Sequence, residues 1–224
     1  MNYLLVWDID GTLIKITGVG IKAMERAFCE LYNVENAFSG VDMAGYLDAI
    51  ILKNAFSHHR LCRDNINELC EKYTEILALE LKKSEVPLAC PGIVKLLETI
   101  SRKKNMYNII GTGNMEKSAR IKLSAANLDR FFPIGGFSDG EEERWQLIER
   151  AISNARLYFG IDFNNENIFI IGDTPRDIEC GIKLQVKTIG VATGSYTSER
   201  LKQHGADYVF ESLENIEAFL EVFT

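Results

Sequence analysis

The chain has 224 residues, of which 46% are hydrophobic and 25% are charged, and it carries a formal net charge of −7. This composition is typical of a soluble globular protein with a sizeable core, built as one domain or as one domain with a small insertion. The acidic balance argues against nucleic acid as a partner, and the lack of a long apolar run argues against a membrane span or a signal peptide, so we expect a cytoplasmic protein.

Five short apolar runs are typical of strands that are buried on both faces of a parallel sheet. They occupy residues 3–7, 108–111, 167–172, 187–192 and 207–210. Helical patterns lie between or after them, at residues 91–104, 116–127, 142–159, 175–185 and 212–222. The last pattern has Ser212 as its predicted N-cap and Asn215 as a possible capping-box partner. The alternation predicts an α/β fold with a doubly wound, Rossmann-like parallel sheet.

Residues 17 to about 85 interrupt this alternation, because helical patterns without a convincing strand follow the first strand. The patterns are IKAMERAFCELY, AGYLDAIILKNAF and NINELCEKYTEILALELKK, which carry apolar residues at helical spacing. The segment PLACPG at 87–92 is the predicted return linker. We therefore predict a core domain formed by residues 1–16 and 87–224, and a small inserted helical domain formed by residues 17–86.

The cysteines and histidines give no sign of a disulfide framework or a zinc site. The cysteines are scattered, odd in number and never spaced as C-x-x-C; they are Cys29, Cys62, Cys70, Cys90 and Cys180. His58 and His59 are adjacent, so on a helix they would point about 100° apart, which is poor geometry for binding one metal ion. We predict structural or surface roles for these residues.

The stretch LLVWDIDGTLI at 4–14 places Asp8 and Asp10 directly after a strand that is expected to be buried. In an extended chain, residues i and i+2 face the same side, so the two carboxylates can share one site at the carboxyl end of the strand, where open α/β sheets bind ligands. An ordinary turn at Asp10–Gly11 is the simpler alternative. A calcium loop is excluded, because Leu13 stands at its required glycine and Val19 at its required glutamate.

Polar residues also follow two other predicted strands. Thr112, Gly113 and Asn114 end one strand and open a helix, which can bind an anion through backbone N–H groups. Asp173 and Asp177 end another strand and could complete a site for a hard cation with Asp8. Complementary groups at three strand ends favour a functional site over a series of unrelated turns.

In their order, the segments DIDGTL, GTGN and GDTPRD resemble the motifs of the haloacid dehalogenase superfamily of phosphotransferases. The resemblance spans essentially the whole chain, and the helical insertion resembles the cap domain of this family. The stretch GFSDGEEERWQLIERAI is similar to the part that carries the family's third motif, a Lys or Arg. Arg144 matches best, as in the branch grouped with phosphoglycolate phosphatases and β-phosphoglucomutase, although Arg150 and Arg156 compete for this assignment.

The resemblance implies a role for each acidic residue. Asp8 would be the nucleophile and would form an aspartyl-phosphate. Mg²⁺ would be bound by the Asp8 carboxylate, the backbone carbonyl of Asp10 and the Asp173 carboxylate, with Asp177 in a supporting position. Asp10 would protonate the leaving alkoxide and then deprotonate the attacking water.

The resemblance also implies how the phosphoryl group is held. Thr112, the backbone N–H groups of Gly113 and Asn114, and the guanidinium of Arg144 would bind its oxygens, where charge develops during transfer. Because several carboxylates would repel a phosphate, Mg²⁺ and Arg144 are needed to supply positive charge.

These expectations lead to an Mg²⁺-dependent phosphatase acting on a small, phosphoglycolate-like phosphorylated metabolite. Dehalogenases of the family lack an acid two residues after the nucleophile, so the presence of Asp10 favours phosphoester chemistry. A phosphosugar mutase of β-phosphoglucomutase type and a catalytically silent binding module remain as alternatives. We expect a monomer or weak homodimer without a nucleic-acid or membrane partner.

Residues that select the substrate are expected in the inserted domain, which would close over the leaving group. Gly18 and Gly20 are candidate hinges. Related proteins often carry a Gly-x-Thr-Asp segment near positions 45–48; here Gly45 and Asp48 match, whereas Leu47 occupies the threonine position. For Arg176, a solvated loop position is favoured over a place at the mouth of the pocket.

Overall fold

The computed structural model of the chain describes residues 1–15, 18–39, 46–61, 66–83, 88–138, 140 and 143–223. A six-stranded parallel sheet with the order β3-β2-β1-β4-β5-β6 forms its centre. The strands are β1 (Tyr3–Trp7), β2 (Met106–Gly111), β3 (Gly135–Gly136), β4 (Ile168–Gly172), β5 (Lys187–Val191) and β6 (Tyr208–Phe210). The predicted α/β, doubly wound parallel-sheet fold is therefore confirmed.

The strand order reverses at β1, which pairs with β2 on one side and with β4 on the other. Such a switch point opens a crevice at the carboxyl ends of the two strands, because the connections leave them in opposite directions. Residue 8 follows β1 and residue 173 follows β4, so the sequence places Asp8 and Asp173 at this crevice.

Nine helices are described, and their bounds are α1 (Val19–Tyr32), α2 (Asp48–His58), α3 (Ile66–Lys82), α4 (Ile93–Ser101), α5 (Glu116–Ala125), α6 (Arg144–Phe159), α7 (Pro175–Leu184), α8 (Ser198–Gln203) and α9 (Ile216–Glu221). Helices cover both faces of the sheet. Leu5 and Trp7 point into a cluster with α4, α5 and α9, whereas Leu4 and Val6 point into a cluster with α6. This alternation explains why β1 is apolar at every position, since both of its faces are buried.

Helices α1, α2 and α3 follow one another between β1 and α4 in the chain, and the described residues of this stretch contain no strand. They share a cluster of buried side chains that includes Phe28, Phe56 and Leu77. Met115 of the core packs against this cluster. Both predicted domain boundaries, at 16/17 and 86/87, involve positions outside the described residues, so the division into two domains stays a prediction. Among the described helices, none combines the length and apolar character that crossing a membrane requires.

Three details differ from the sequence prediction. The edge strand β3 was not predicted, because two glycines carry no strand signal. The short helix α8 was not predicted either. Helix α9 begins at Ile216 rather than near residue 212: the Asn215 side chain accepts a hydrogen bond from the Ala218 N–H, whereas the Ser212 hydroxyl donates to Glu214. The prediction of Ser212 as N-cap was therefore wrong.

The buried indole N–H of Trp7 donates to the Asn108 side chain at 2.9 Å, which joins β1 to β2. Substitution Asn108→Ala leaves this donor without its acceptor in a buried position, so we expect the free energy of unfolding to fall by about 1–3 kcal/mol. Urea denaturation measures the change. The matched control is Asn105→Ala, which removes an exposed side-chain hydrogen bond and should change stability by less than about 0.5 kcal/mol. Equal effects of the two substitutions would contradict the prediction.

Candidate active site

A pocket of about 480 Å³ lies between the carboxyl ends of the strands and the helices α1, α2 and α3. It is lined by groups from both parts of the chain. The core contributes Asp8, Asp10, Thr112, Gly113, Asn114, Lys122, Arg144, Asp173 and the loop 193–196, and the inserted helices contribute mainly Met24, Ile51, Asp48 and Tyr73. The structure thus brings together the residues that the sequence predicted at the ends of β1, β2 and β4.

Arg144 is the first residue of α6 and forms ion pairs with two buried carboxylates. Its Nη2 atom lies 2.9 Å from Asp8 Oδ1 and 2.6 Å from Asp177 Oδ1, and all three side chains are at most 8% exposed. The pKa of Arg144 is raised above its ordinary value, because Asp177 and Asp8 outweigh the opposing effect of burial. Its competitors lie elsewhere: Arg150 donates to the Phe137 carbonyl and Arg156 to the Phe163 carbonyl.

The carboxylates of Asp8, Asp173 and Asp177 lie within 4.8 Å of one another and are buried. Burial raises the pKa of Asp173 to about 8, with further contributions from Asp8 and Asp177. Burial also raises the pKa of Asp8 to about 6, although Arg144 opposes this shift. The cluster therefore holds more negative charge than Arg144 neutralises.

This set of oxygen donors fits a hard divalent cation. Asp177 is already engaged, since its Oδ2 atom accepts from the Thr174 N–H at 3.1 Å and from the Thr174 hydroxyl at 2.7 Å. Asp8 and Asp173 could therefore hold such a cation more readily than Asp177, which pairs with Arg144. Space around Asp173 depends on two glycines, because a Cβ atom at Gly11 would lie 2.4 Å, and one at Gly194 1.7 Å, from Asp173 Oδ2.

The loop after β2 is held by side-chain hydrogen bonds. Thr112 is fully buried, and its Oγ1 accepts from the Asn114 side-chain amide at 2.9 Å. The same amide group donates to Asp10 Oδ2 at 2.8 Å. Gly113 is required here because a Cβ atom would lie 2.4 Å from the backbone oxygen of Tyr46. The predicted anion-binding loop therefore borders both Asp10 and the inserted segment.

Lys122 is a functional candidate that the sequence analysis missed. It lies on α5, its side chain is 5% exposed, and its Nζ atom is 2.6 Å from Asp10 Oδ2 and 2.5 Å from Asn114 Oδ1. The helical spacing of the sequence could have indicated its burial, because Lys122 shares the buried face of α5 with Ser118, Ala119 and Leu123. A lysine among such positions indicates a buried charge with partners.

Asp48 begins α2 and docks the inserted helices on the core. Its Oδ2 atom accepts from the Met115 N–H at 3.1 Å, and its own N–H donates to the Gly113 carbonyl at 2.8 Å. Burial raises the pKa of Asp48 to about 6, with Lys122 opposing the shift. Leu47, at the expected threonine position, is buried in the apolar cluster around α6.

Two further features were not predicted. The loop after β5 reaches the site, where the Thr193 hydroxyl donates to the Gly11 carbonyl. Arg176 is not simply solvated, because its guanidinium stacks on the ring of Tyr46 at 3.6 Å from the centroid. This contact joins α7 to the segment before α2 at the pocket. Gly18 and Gly20 line the pocket, and their role as hinges stays a prediction.

Comparison with known proteins identifies the class to which this site belongs. Residues 5–191 match the family model described as haloacid dehalogenase-like hydrolase. The chain therefore belongs to the haloacid dehalogenase-like hydrolase family, and the predicted resemblance and hydrolase class are confirmed.

The individual relatives share less than a quarter of their sequence with this chain. The chain is 23% identical over 221 residues to pyrophosphatase PpaX of Listeria monocytogenes, covering 96% of this chain and 95% of the relative. A hydrolase from Pseudomonas syringae has a similar fold, with a TM-score of 0.73, 21% identity and full coverage of both chains. β-Phosphoglucomutase from Clostridium difficile is similar with a TM-score of 0.70 and 14% identity, covering 99% of this chain and 96% of that one.

The raised pKa of Asp173 predicts that the metal-free protein loses stability as the pH rises. The pKa of an aspartate in an unfolded chain is near 3.9, whereas the pKa of Asp173 in the folded protein is about 8. Between these values the folded protein holds a proton that the unfolded chain has released, so the free energy of unfolding falls with rising pH. Urea denaturation in the presence of a chelator should give a lower midpoint at pH 8 than at pH 6.5.

The Asp173→Asn variant should show a flatter response over the same interval, because the titrating group is gone. Asp8 and Asp48, with pKa values of about 6, complete most of their titration below this interval. The control is Asp162→Asn, whose carboxylate is 98% exposed and which should keep the wild-type response. An equal pH response in wild type and Asp173→Asn would contradict the prediction.

Proposed function

We propose that this protein is an Mg²⁺-dependent phosphatase that hydrolyses a small phosphorylated metabolite through an aspartyl-phosphate on Asp8, with phosphoglycolate-like compounds as first candidates. The observation that carries this proposal is the convergence of Asp8, Arg144 and Asp173 at the switch point of the sheet. The relative named pyrophosphatase supports phosphoryl transfer as the reaction class.

Asp8 is suited to act as the nucleophile because it lies at the pocket and its Oδ1 atom is held by Arg144. A carboxylate oxygen of Asp8 attacks phosphorus, and the bond from phosphorus to the leaving oxygen breaks. Arg144, Thr112 and the backbone at Gly113 border the space where the phosphoryl oxygens would lie. Positive charge and hydrogen-bond donors at this place stabilise the charge that develops during transfer.

Mg²⁺ would be held by the carboxylates of Asp8 and Asp173 and by the backbone carbonyl of Asp10. When bound, it neutralises carboxylate charge and orients the substrate phosphate. The raised pKa values of Asp8 and Asp173 support this assignment, since the buried cluster lacks positive charge. Asp177 keeps Arg144 in place from the opposite side.

Asp10 would carry the protons of both half-reactions. Its carboxyl group gives a proton to the leaving oxygen when the aspartyl-phosphate forms. Its carboxylate then takes a proton from the water whose oxygen attacks phosphorus, which frees Asp8 and inorganic phosphate. Asp10 lies at the pocket with its side chain 43% exposed, so it is accessible to both water and substrate.

The inserted helices would act as a cap over the leaving group. Met24, Ile51 and Tyr73 line the pocket opposite the strand ends. Apolar side chains at this place would exclude water, and the volume of about 480 Å³ suits a small substrate. The stacking of Arg176 on Tyr46 would help to hold the cap against the core.

A phosphosugar mutase is the second candidate, supported by the similarity of the fold to β-phosphoglucomutase. A mutase would return the phosphoryl group from Asp8 to a sugar instead of water. Activation by a sugar bisphosphate would favour the mutase, whereas a phosphatase should show none. A silent binding module is less well supported, since the complete set of Asp8, Asp10, Thr112, Arg144 and Asp173 is present.

The test is release of inorganic phosphate from phosphoglycolate, pyrophosphate, sugar phosphates and 4-nitrophenyl phosphate, with Mg²⁺ and again with a chelator. We expect Mg²⁺-dependent release from wild type. Substitution Asp8→Asn should lower kcat by at least about 10³-fold because the nucleophile is lost. Its stability at pH 8 should be unchanged or higher, because a buried charge is removed.

The matched control is Asp162→Asn, which removes an exposed carboxylate and should keep full activity. Turnover by Asp8→Asn at the wild-type rate would exclude the covalent mechanism. Phosphate release that is unaffected by the chelator would exclude the requirement for Mg²⁺.

A further inference from the structure

Lys122 has no part in the phosphoryl chemistry described above, although it lines the same pocket. Its ammonium group is buried and close to two oxygens, Asp10 Oδ2 at 2.6 Å and Asn114 Oδ1 at 2.5 Å. A buried ammonium group is costly unless it is paired and hydrogen-bonded. The fold therefore maintains this contact at a site where an apolar side chain would pack at lower cost.

The three side chains form a closed triangle. Asn114 accepts from Lys122 through Oδ1 and donates through its amide to Asp10 Oδ2 at 2.8 Å. Lys122 contacts the same oxygen of Asp10. Asp10 itself is 43% exposed, so packing alone does not fix its carboxyl group. The orientation of Asp10 consequently depends on its two polar contacts.

The inserted helices enclose the other side of Lys122. A Cβ atom at Gly20 would lie 3.6 Å from Lys122 Nζ and 3.7 Å from the Tyr73 hydroxyl, so all three groups meet at one point. The ammonium charge of Lys122 also acts on Asp48, where it opposes the rise in pKa that burial causes. Gly20 of α1 and Tyr73 of α3 therefore border the ammonium group of Lys122 on the side of the inserted helices.

We propose that Lys122 is a positioning residue, which together with Asn114 fixes one carboxyl oxygen of Asp10 and directs the other towards the leaving oxygen of the substrate. This inference rests on the proposed phosphatase function. Lys122 does not touch the phosphoryl group; it acts through Asp10. Removal of the Lys122 ammonium group should therefore lower kcat/KM most for substrates whose leaving oxygen must be protonated.

The experiment compares kcat/KM of Lys122→Met with wild type on two substrates. One is the alkyl phosphate that wild type hydrolyses best, and the other is 4-nitrophenyl phosphate, whose leaving group departs without a proton. Because kcat/KM covers the steps up to departure of the leaving group, later attack by water does not enter. We expect a loss of about 10²-fold on the alkyl phosphate and less than about fivefold on the nitrophenyl ester.

The matched control is Lys117→Met, an exposed lysine on the same helix, which should keep wild-type values on both substrates. In an Asp10→Asn background, Lys122→Met should cause less than about a twofold further loss, because the residue it positions is already disabled. Lys122→Gln keeps an N–H donor on a side chain that is one atom shorter, and it should recover part of the activity on the alkyl phosphate. Thermal unfolding of each variant verifies the folded state.

Equal losses on the two substrates, or a full further loss in the Asp10→Asn background, would overturn the inference and assign Lys122 to substrate binding. Failure of both Lys122→Met and Lys122→Gln to fold would overturn it in favour of a structural role. In these cases the proposed function stands, because wild type remains active. If wild type hydrolyses neither substrate, the proposed function fails, and the inference fails with it.

Discussion

Repulsion among the buried carboxylates of Asp8, Asp173 and Asp177 is the constraint on which the rest of the site depends. Their oxygens lie within 4.8 Å of one another, and Arg144 pairs directly with two of them. Such a cluster is stable only if protons or a further cation balance its charge. Burial, and after it the neighbouring carboxylates, raise the pKa values of Asp8 and Asp173, so these groups bind protons more readily; Mg²⁺ would provide the second solution.

The sheet topology creates this crowding, and the surrounding loops make room for it. Because β1 and β4 are neighbours at the switch point, Asp8 and Asp173 are necessarily close. The missing side chains of Gly11 and Gly194 leave space for the Asp173 carboxylate. On the opposite side, Lys122 forms an ion pair with Asp10, and its charge also opposes the rise in the pKa of Asp48 that burial causes. The site is therefore a pair of linked charge clusters, one around Arg144 and one around Lys122.

The sequence predicted the sheet and the strand-end residues because both follow from local rules. Buried parallel strands are uninterrupted apolar runs, and the polar residues that end them, such as Asp8 and Thr112, must meet at one edge. The sequence favoured Arg144 over Arg150 and Arg156 only through its match to the third motif, because the packing of α6 is not visible in the sequence. The assignment depends on which turn of α6 faces the crevice, and the structure places the first turn there.

Lys122 was missed for a similar reason. Its contact with Asp10 depends on the rotation of α5 and on how α2 and α3 dock against it, which no motif records. The β5 loop was missed because Thr193 and Gly194 act through contacts with Gly11 and Asp173, which are distant in the chain. Tertiary packing rather than local propensity decides these features.

The central claim is that the carboxylate cluster holds a divalent cation, and calorimetric titration of the metal-free protein with MgCl₂ tests it most directly. The account predicts one Mg²⁺ per chain, a higher unfolding temperature when it is bound, and loss of binding in Asp173→Asn. Asp162→Asn should bind Mg²⁺ like wild type, since its carboxylate is exposed. Absence of Mg²⁺ binding, or undiminished binding by Asp173→Asn, would contradict the account.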